Sequence, residues 1–179
     1  MSQSIELIQN RLVYRGRKFD FAVDRLRLPN GIEGDWEYIK HPGGALAVPI
    51  TPDGKLVLVN QYRFTLGTRI LEFPAGTIEA KETPDQTISR ELEEETGYRS
   101  SQWRFLGKFA LAPGYSDEYI YFFLAEGLEK LEQPPAQDED EDIDVVLMTK
   151  QELEQKILKG EKVDAKTITA FYLAKPFLG

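Results

Sequence analysis

The chain of 179 residues has no cysteine and a single histidine. The missing thiols exclude a disulfide framework, which fits a reducing, cytoplasmic setting. With one histidine they also disfavour a zinc centre, whose usual ligands are Cys and His. No N-terminal signal pattern and no apolar run of membrane-spanning length is present, so a soluble cytoplasmic protein with no membrane partner is expected. Positive charge is scarce as well. The 22 Lys and Arg face 30 Asp and Glu, a net charge of −8, which argues against nucleic acid as a partner. No repeat or low-complexity linker divides the chain. At this length, with 41% apolar and 29% charged residues, it reads as one globular domain with a substantial core.

What is abundant is glutamate, and its spacing is informative between residues 76 and 98, GTIEAKETPDQTISRELEEETGY. Thr83 suits an N-cap, Pro84 the first helical position, and Gln86 completes a capping box. Gly97 stands where a helix commonly stops in a left-handed residue. A helix over 84–96 follows. On it Glu91 and Glu95 are one turn apart with Glu94 beside them, while Ile88 and Leu92 form an adjoining apolar face. Like charges at that spacing cost roughly 0.2–0.5 kcal/mol per pair on an exposed helix. Partial shielding from water raises the cost unless a cation joins them. Hard oxygen ligands select Mg²⁺ or Mn²⁺, ions that neutralise a pyrophosphate, polarise phosphorus and acidify an attacking water. Arg90 can brace Glu94 at i,i+4, or other carboxylates nearby. Glu82 precedes the helix and reads as a supporting carboxylate rather than a ligand. An acidic run by itself is usually a solvated face, but a solvated face does not call for the glycines, Arg90 and the distant Glu82.

Gly76, Glu82, Arg90-Glu91-Leu92, Glu94-Glu95 and Gly97-Tyr98 match the Nudix box, G-x5-E-x7-R-E-U-x-E-E-x-G-U with U a bulky apolar residue, at every fixed position; Tyr98 fills the last apolar slot. The chain thus resembles a Nudix hydrolase, a family that cleaves a nucleoside diphosphate linked to another group. Outside the box, Gln61-Tyr62-Arg63, the run from Leu71 to Gly76, and Pro113-Gly114-Tyr115-Ser116-Asp117-Glu118 resemble the ADP-ribose pyrophosphatase branch. A proline 16 residues past the last box glycine marks that branch, and Pro113 holds that place after Gly97. The likeness covers residues 36 to 175, and branches acting on GDP-mannose or other nucleoside diphosphate sugars share much of it.

Short apolar runs over 11–40, broken by Gly16 and the Pro29-Asn30-Gly31 turn, predict a meander of two or three strands. Further strands are expected at 45–50, 55–62, 69–73, 103–111, 119–125 and 143–148, with an acidic loop over 134–142. Thr149 and Glu152 make a capping box for a helix ending near Gly160. Asp164 caps a last helix that sets Ile168, Phe171 and Tyr172 on one face. This is an α/β pattern. The resemblance sharpens it to a Nudix-type α/β/α sandwich with a mixed central sheet. Residues 1–42 would be an N-terminal β extension and dimerisation element, and 43–179 the catalytic core.

The resemblance also implies roles. The Ala75 carbonyl with Glu91, Glu94 and Glu95 would hold two or three Mg²⁺, Mn²⁺ being a possible substitute, with Arg90 and Glu82 supporting the catalytic carboxylates. Arg63 and Glu72 would contact the diphosphate or terminal ribose, and Pro113 and Ser116 belong to the branch's substrate loop. Trp36 would stack on adenine and Phe19 on its other face, contacts worth about 1–3 kcal/mol per base; without the resemblance an ordinary core tryptophan is an equal reading of Trp36. A general base is needed close to the water, and Glu139 and Glu141 of the acidic loop both qualify. His41 reads as a turn or surface residue. Arg11, Arg15, Arg17 and Lys18 either reach a partner's site across a homodimer or are surface charge. The expected activity is Mg²⁺-dependent hydrolysis of ADP-ribose or a related nucleoside diphosphate sugar. The alternatives are a GDP-mannose or broad nucleoside diphosphate sugar hydrolase and a non-catalytic ADP-ribose sensor.

Overall fold

A computed structural model describes residues 4–136 and 142–179. Two compact units divide the chain, one running to Gly43 with Ala110–Tyr119 added, the other comprising Gly44–Phe109 and Ile120–Gly179.

In the first unit, β1 (Glu6–Arg15), β2 (Asp20–Arg27) and β3 (Glu33–Lys40) form an antiparallel meander in that order. The expected turn is in place: Gly31 sits at φ 85°, a conformation open to glycine, and donates to the Leu28 carbonyl at 2.8 Å. Asp24 is buried in the middle strand. It accepts from Asn10 Nδ2 at 2.8 Å and from Tyr38 Oη at 2.7 Å, one partner from each neighbouring strand. A slip of either strand by one residue would take away one of that buried carboxylate's two donors, so it helps to pin the register. The 112–118 segment docks on the end of β3. Ile39 N donates to Tyr115 O at 2.8 Å, and Asp117 N returns a bond to Ile39 O at 3.1 Å.

The second unit is a sandwich built on β4 (Gly44–Pro49), β5 (Leu56–Arg63), β6 (Thr68–Glu72), β7 (Ala75–Thr77), β8 (Tyr98–Ala110), β9 (Tyr119–Lys130) and β10 (Ile143–Met148). One sheet runs β7-β4-β9-β8 and another β10-β5-β6. The first is mixed, β4 pairing parallel to β9 and antiparallel to β7. Side chains alternate across a strand, so a strand covered on both faces is apolar throughout. On β4, Ala45 and Ala47 pack with Val57, Phe123, Ile88 and Leu92, the last two from α1 (Pro84–Thr96). Leu46 and Val48 pack on the opposite side with Phe122, Leu124, Leu153 of α2 (Lys150–Leu158), and Ala170 and Phe171 of α3 (Ala165–Ala174). Helices on both faces make this the expected α/β/α arrangement with a mixed sheet.

The helix ends follow their caps. Gln86 Oε1 accepts from Thr83 N at 3.0 Å, and Gly97, left-handed at φ 71°, donates to Glu93 O. Thr149 and Glu152 form their reciprocal capping box, and Asp164 Oδ2 accepts from Thr167 N at 3.0 Å. Three features differ from expectation. β7 forms because Ala75–Thr77 pairs with β4, a long-range bond that three residues do not announce. β8 begins at Tyr98, straight after the helix cap, through the polar run Arg99-Ser100-Ser101-Gln102. The buried face of α3 is Thr167, Ala170, Phe171 and Ala174, whereas Tyr172 is 42% exposed.

Leu92 is fully buried between α1 and the sheet. Leu92→Ala should destabilise the protein by about 2–5 kcal/mol, seen as a lower urea midpoint with unchanged slope.

Candidate active site

α1 carries its apolar residues into the core, which turns Arg90, Glu91, Glu94 and Glu95 toward the β7 side of the unit. Arg90 sits at the centre of an acidic group. Its Nε and Nη2 donate to the two oxygens of Glu82 at 3.0 and 3.1 Å. Its Nη1 donates to Glu91 Oε1 and to Glu94 Oε2, both at 2.9 Å. Glu82 is held from a second direction by the buried Thr87 hydroxyl at 2.8 Å. Both open readings of Arg90 are therefore realised: it braces Glu94 and two further carboxylates.

The electrostatics match the geometry. The Arg90 hydrogen bonds, chiefly, hold the Glu82 carboxyl below the ordinary value, against a smaller opposing effect of burial. Arg90 is in turn raised above the ordinary arginine range, first by Glu82 and then, against burial, by Glu91 and Glu94.

The strand facing the helix completes the arrangement. Glu95 is only 2% exposed, and its Oε2 accepts from the Ala75 backbone N–H at 3.2 Å. Beside Ala75, Gly76 lies directly under Glu91: a Cβ at 76 would stand 1.9 Å from Oε1 and 2.4 Å from Cγ. No other residue type leaves room for the Glu91 side chain against this backbone. The donors gathered here are all hard oxygens, four carboxylates and the neighbouring strand backbone against one guanidinium. That surplus of negative charge fits a hard divalent cation. Among the described residues no three Asp, Glu, Cys or His side chains are gathered for a metal ion, and Arg90 contacts both Glu91 and Glu94.

A second polar cluster lies at the end of β6. Glu72, 1% exposed, takes a two-pronged bond from Arg63, Nε to Oε1 at 2.6 Å and Nη2 to Oε2 at 2.8 Å. Lys166 Nζ also donates to Glu72 Oε2 and lies 3.1 Å from Asp164 Oδ2. Burial alone would push the Glu72 carboxyl up, but Arg63 and Lys166 together hold it below the ordinary value. Lys166 was not anticipated from sequence; the only local signal was the Asp164 cap, which fixes the first turn of α3.

The remaining anticipated residues are distributed as follows. Phe19, Trp36, Pro113 and Ser116 belong to the first unit. Phe19 is exposed, with its ring 6.4 Å from that of His41. Trp36 is half-buried and folds over Gly34, where a Cβ would meet its ring at 3.0 Å, so it is not a core tryptophan. Pro113 is exposed, and Ser116 Oγ accepts from Glu118 N at 3.1 Å. His41 is a turn residue whose backbone N donates to Asp117 Oδ1 and whose Nδ1 accepts from Gly43 N. Glu139 and Glu141 lie outside the described residues.

Comparison with known proteins bears on the family and the fold. The NUDIX domain family matches residues 40–171. A methanol dehydrogenase activator of Bacillus methanolicus is 41% identical over 163 residues, covering 91% of this chain and 88% of the relative. An ADP-ribose pyrophosphatase of Bacillus subtilis (strain 168) is 38% identical with the same coverage. The crystal structure of an ADP compounds hydrolase shares the fold, with a TM-score of 0.82 at 24% identity over 98% of this chain and 95% of that one.

Two outcomes follow from the geometry. Gly76→Ala should leave the melting temperature within a few degrees, because the Glu91 side chain can swing away, yet remove most activity by displacing that carboxylate. Glu82, depressed below its ordinary 4.5, contributes stability that is complete above that value and lost as pH falls through its lower folded value. Glu82→Gln should therefore flatten the fall in melting temperature on acidification below about pH 5, measured by calorimetry across pH.

Proposed function

The chain belongs to the NUDIX family, and from that premise we propose that it hydrolyses the diphosphate of ADP-ribose or a related nucleoside diphosphate sugar. The carrying observation is the meeting of α1 with β7, where Gly76 admits Glu91 and the Ala75 N–H holds Glu95. Nudix hydrolases work with divalent metal ions. Here Glu91, Glu94, Glu95 and the Ala75 carbonyl would hold Mg²⁺, with Mn²⁺ as substitute. Bound there, the ion supplies positive charge to the pyrophosphate and lowers the pKa of the attacking water.

The chain's own residues do the rest. Arg90 and Glu82 keep the helix carboxylates in place. Arg63, anchored on Glu72, offers its guanidinium to an anionic oxygen of the substrate. In the first unit, the resemblance alone supports Trp36 and Phe19 as base-stacking side chains and Pro113 and Ser116 as part of a substrate loop. Glu139 or Glu141 takes the proton of the water as it attacks one phosphorus in line. The bridging P–O bond breaks, leaving a nucleoside monophosphate and a sugar phosphate. Aromatic stacking accepts any purine, so GDP-mannose is the next substrate to test. We also propose a cytoplasmic homodimer. In support, every residue of β1 is exposed although the strand carries Leu7, Ile8, Leu12, Val13 and Tyr14, an apolar surface suited to a second copy. No helix among the described residues is long and apolar enough to cross a membrane.

Incubation with ADP-ribose and Mg²⁺ should yield AMP and ribose 5-phosphate, and EDTA should abolish both. Cleavage of GDP-mannose alone would shift the substrate, and tight binding of ADP-ribose without turnover would make the protein a sensor. Glu95→Gln should lower kcat by about a hundredfold or more with the fold retained; near-normal turnover would remove Glu95 from the site. Sedimentation at about micromolar concentration, a range typical of specific association, should give a dimer, and Leu12→Lys should shift it toward monomer.

A further inference from the structure

We propose that Lys166, in the first turn of α3, is a positioning residue that holds Glu72 so that Arg63 is free to engage the substrate's anionic oxygens. This rests on the reading of Arg63 as a substrate contact.

Glu72 is buried at 1% side-chain exposure, whereas the Arg63 side chain is 38% exposed. Arg63 spends Nε and Nη2 on the two Glu72 oxygens, so Nη1 is left over from that fork for a ligand. If Arg63 were the sole cation on Glu72, any turn toward an anionic ligand would uncover a buried carboxylate, a cost larger than the new ion pair returns. Lys166 removes that penalty. Its ammonium bonds Glu72 Oε2 and is itself steadied by Asp164 Oδ2 at 3.1 Å. Glu72 then stays paired while Arg63 shares its charge outward.

The same turn fixes the backbone around Glu72. Thr167 Oγ1 accepts from Phe73 N at 2.8 Å, Leu71 N donates to Lys162 O at 2.9 Å, and Asp164 N donates to Leu71 O at 3.1 Å. Three residues past Glu72, Ala75 N meets Glu95. The start of α3 thereby keeps the cationic fork in register with the box carboxylates. The backbone and Thr167 bonds do not involve the Lys166 side chain, so the corner survives its replacement.

The test is steady-state kinetics of Lys166→Met and Lys166→Arg with ADP-ribose and Mg²⁺, beside their thermal melts. Lys166→Met should raise KM about tenfold with kcat within about twofold, the pattern of lost uniform binding, and Lys166→Arg should recover most of the loss. In a Glu72→Gln background, where no buried charge needs a cation, the Lys166→Met change should have little further effect, because Lys166 acts through Glu72. An unchanged KM in Lys166→Met, or a full additional loss in the Glu72→Gln background, overturns the proposal. If the wild-type protein leaves ADP-ribose and GDP-mannose intact, the functional reading fails by itself. Calorimetric titration of the metal-free protein with pyrophosphate then decides on Lys166: about tenfold weaker binding in Lys166→Met supports its role, and equal affinity overturns it.

Discussion

Crowding of like charge on one face of a single helix is the constraint around which the site is organised. Glu91, Glu94 and Glu95 lie on α1 and Glu82 reaches in from just before it, and Arg90 contacts three of the four, Glu82, Glu91 and Glu94. Four carboxylates cannot be neutralised by one arginine, so the group is tolerable as a protein surface only because part of it faces solvent. A divalent cation, the kind of ion Nudix hydrolases use, would offset that charge. The arrangement is costly for folding and therefore well suited to binding. Arg90 limits that cost by holding the side chains in one geometry rather than by cancelling their charge.

The rest of the second unit presents this helix at the right depth. β4 is buried on both faces, with small Ala45 and Ala47 toward α1 and larger Leu46 and Val48 toward α2 and α3. The small residues let α1 approach closely, and Gly76 allows the closest approach of all, carboxylate against backbone. On the far side of the corner, α3 is fixed to β6 by backbone bonds, by Thr167 and by Lys166.

A protein of net charge −8 that acts on an anion must change the sign of its field locally. Arg63 and Lys166 supply part of that change within the second unit, both anchored by the same buried carboxylate. Burying Glu72 would be unfavourable with both cations missing. With both present it becomes a post that orients positive charge.

Local chemistry was legible in the sequence wherever a few consecutive residues decide the outcome. The bounds of α1 follow from Thr83, Pro84, Gln86 and Gly97, its buried face from Ile88 and Leu92, and the bracing of Glu94 from the i,i+4 spacing of Arg90. The turn at Gly31 and the caps at Thr149 and Asp164 are of the same kind, because each depends on atoms only a few bonds apart. The spacing of the box likewise identified the family and the acidic group. What the tertiary structure alone decided involves partners far apart in the chain. β7 exists because β4 lies beside it, the Ala75 N–H finds Glu95, Lys166 finds Glu72, and Asn10 and Tyr38 converge on Asp24. Hydrogen bonds across such separations leave no periodic trace in sequence, since they are made only after the sheet has set the register of distant segments.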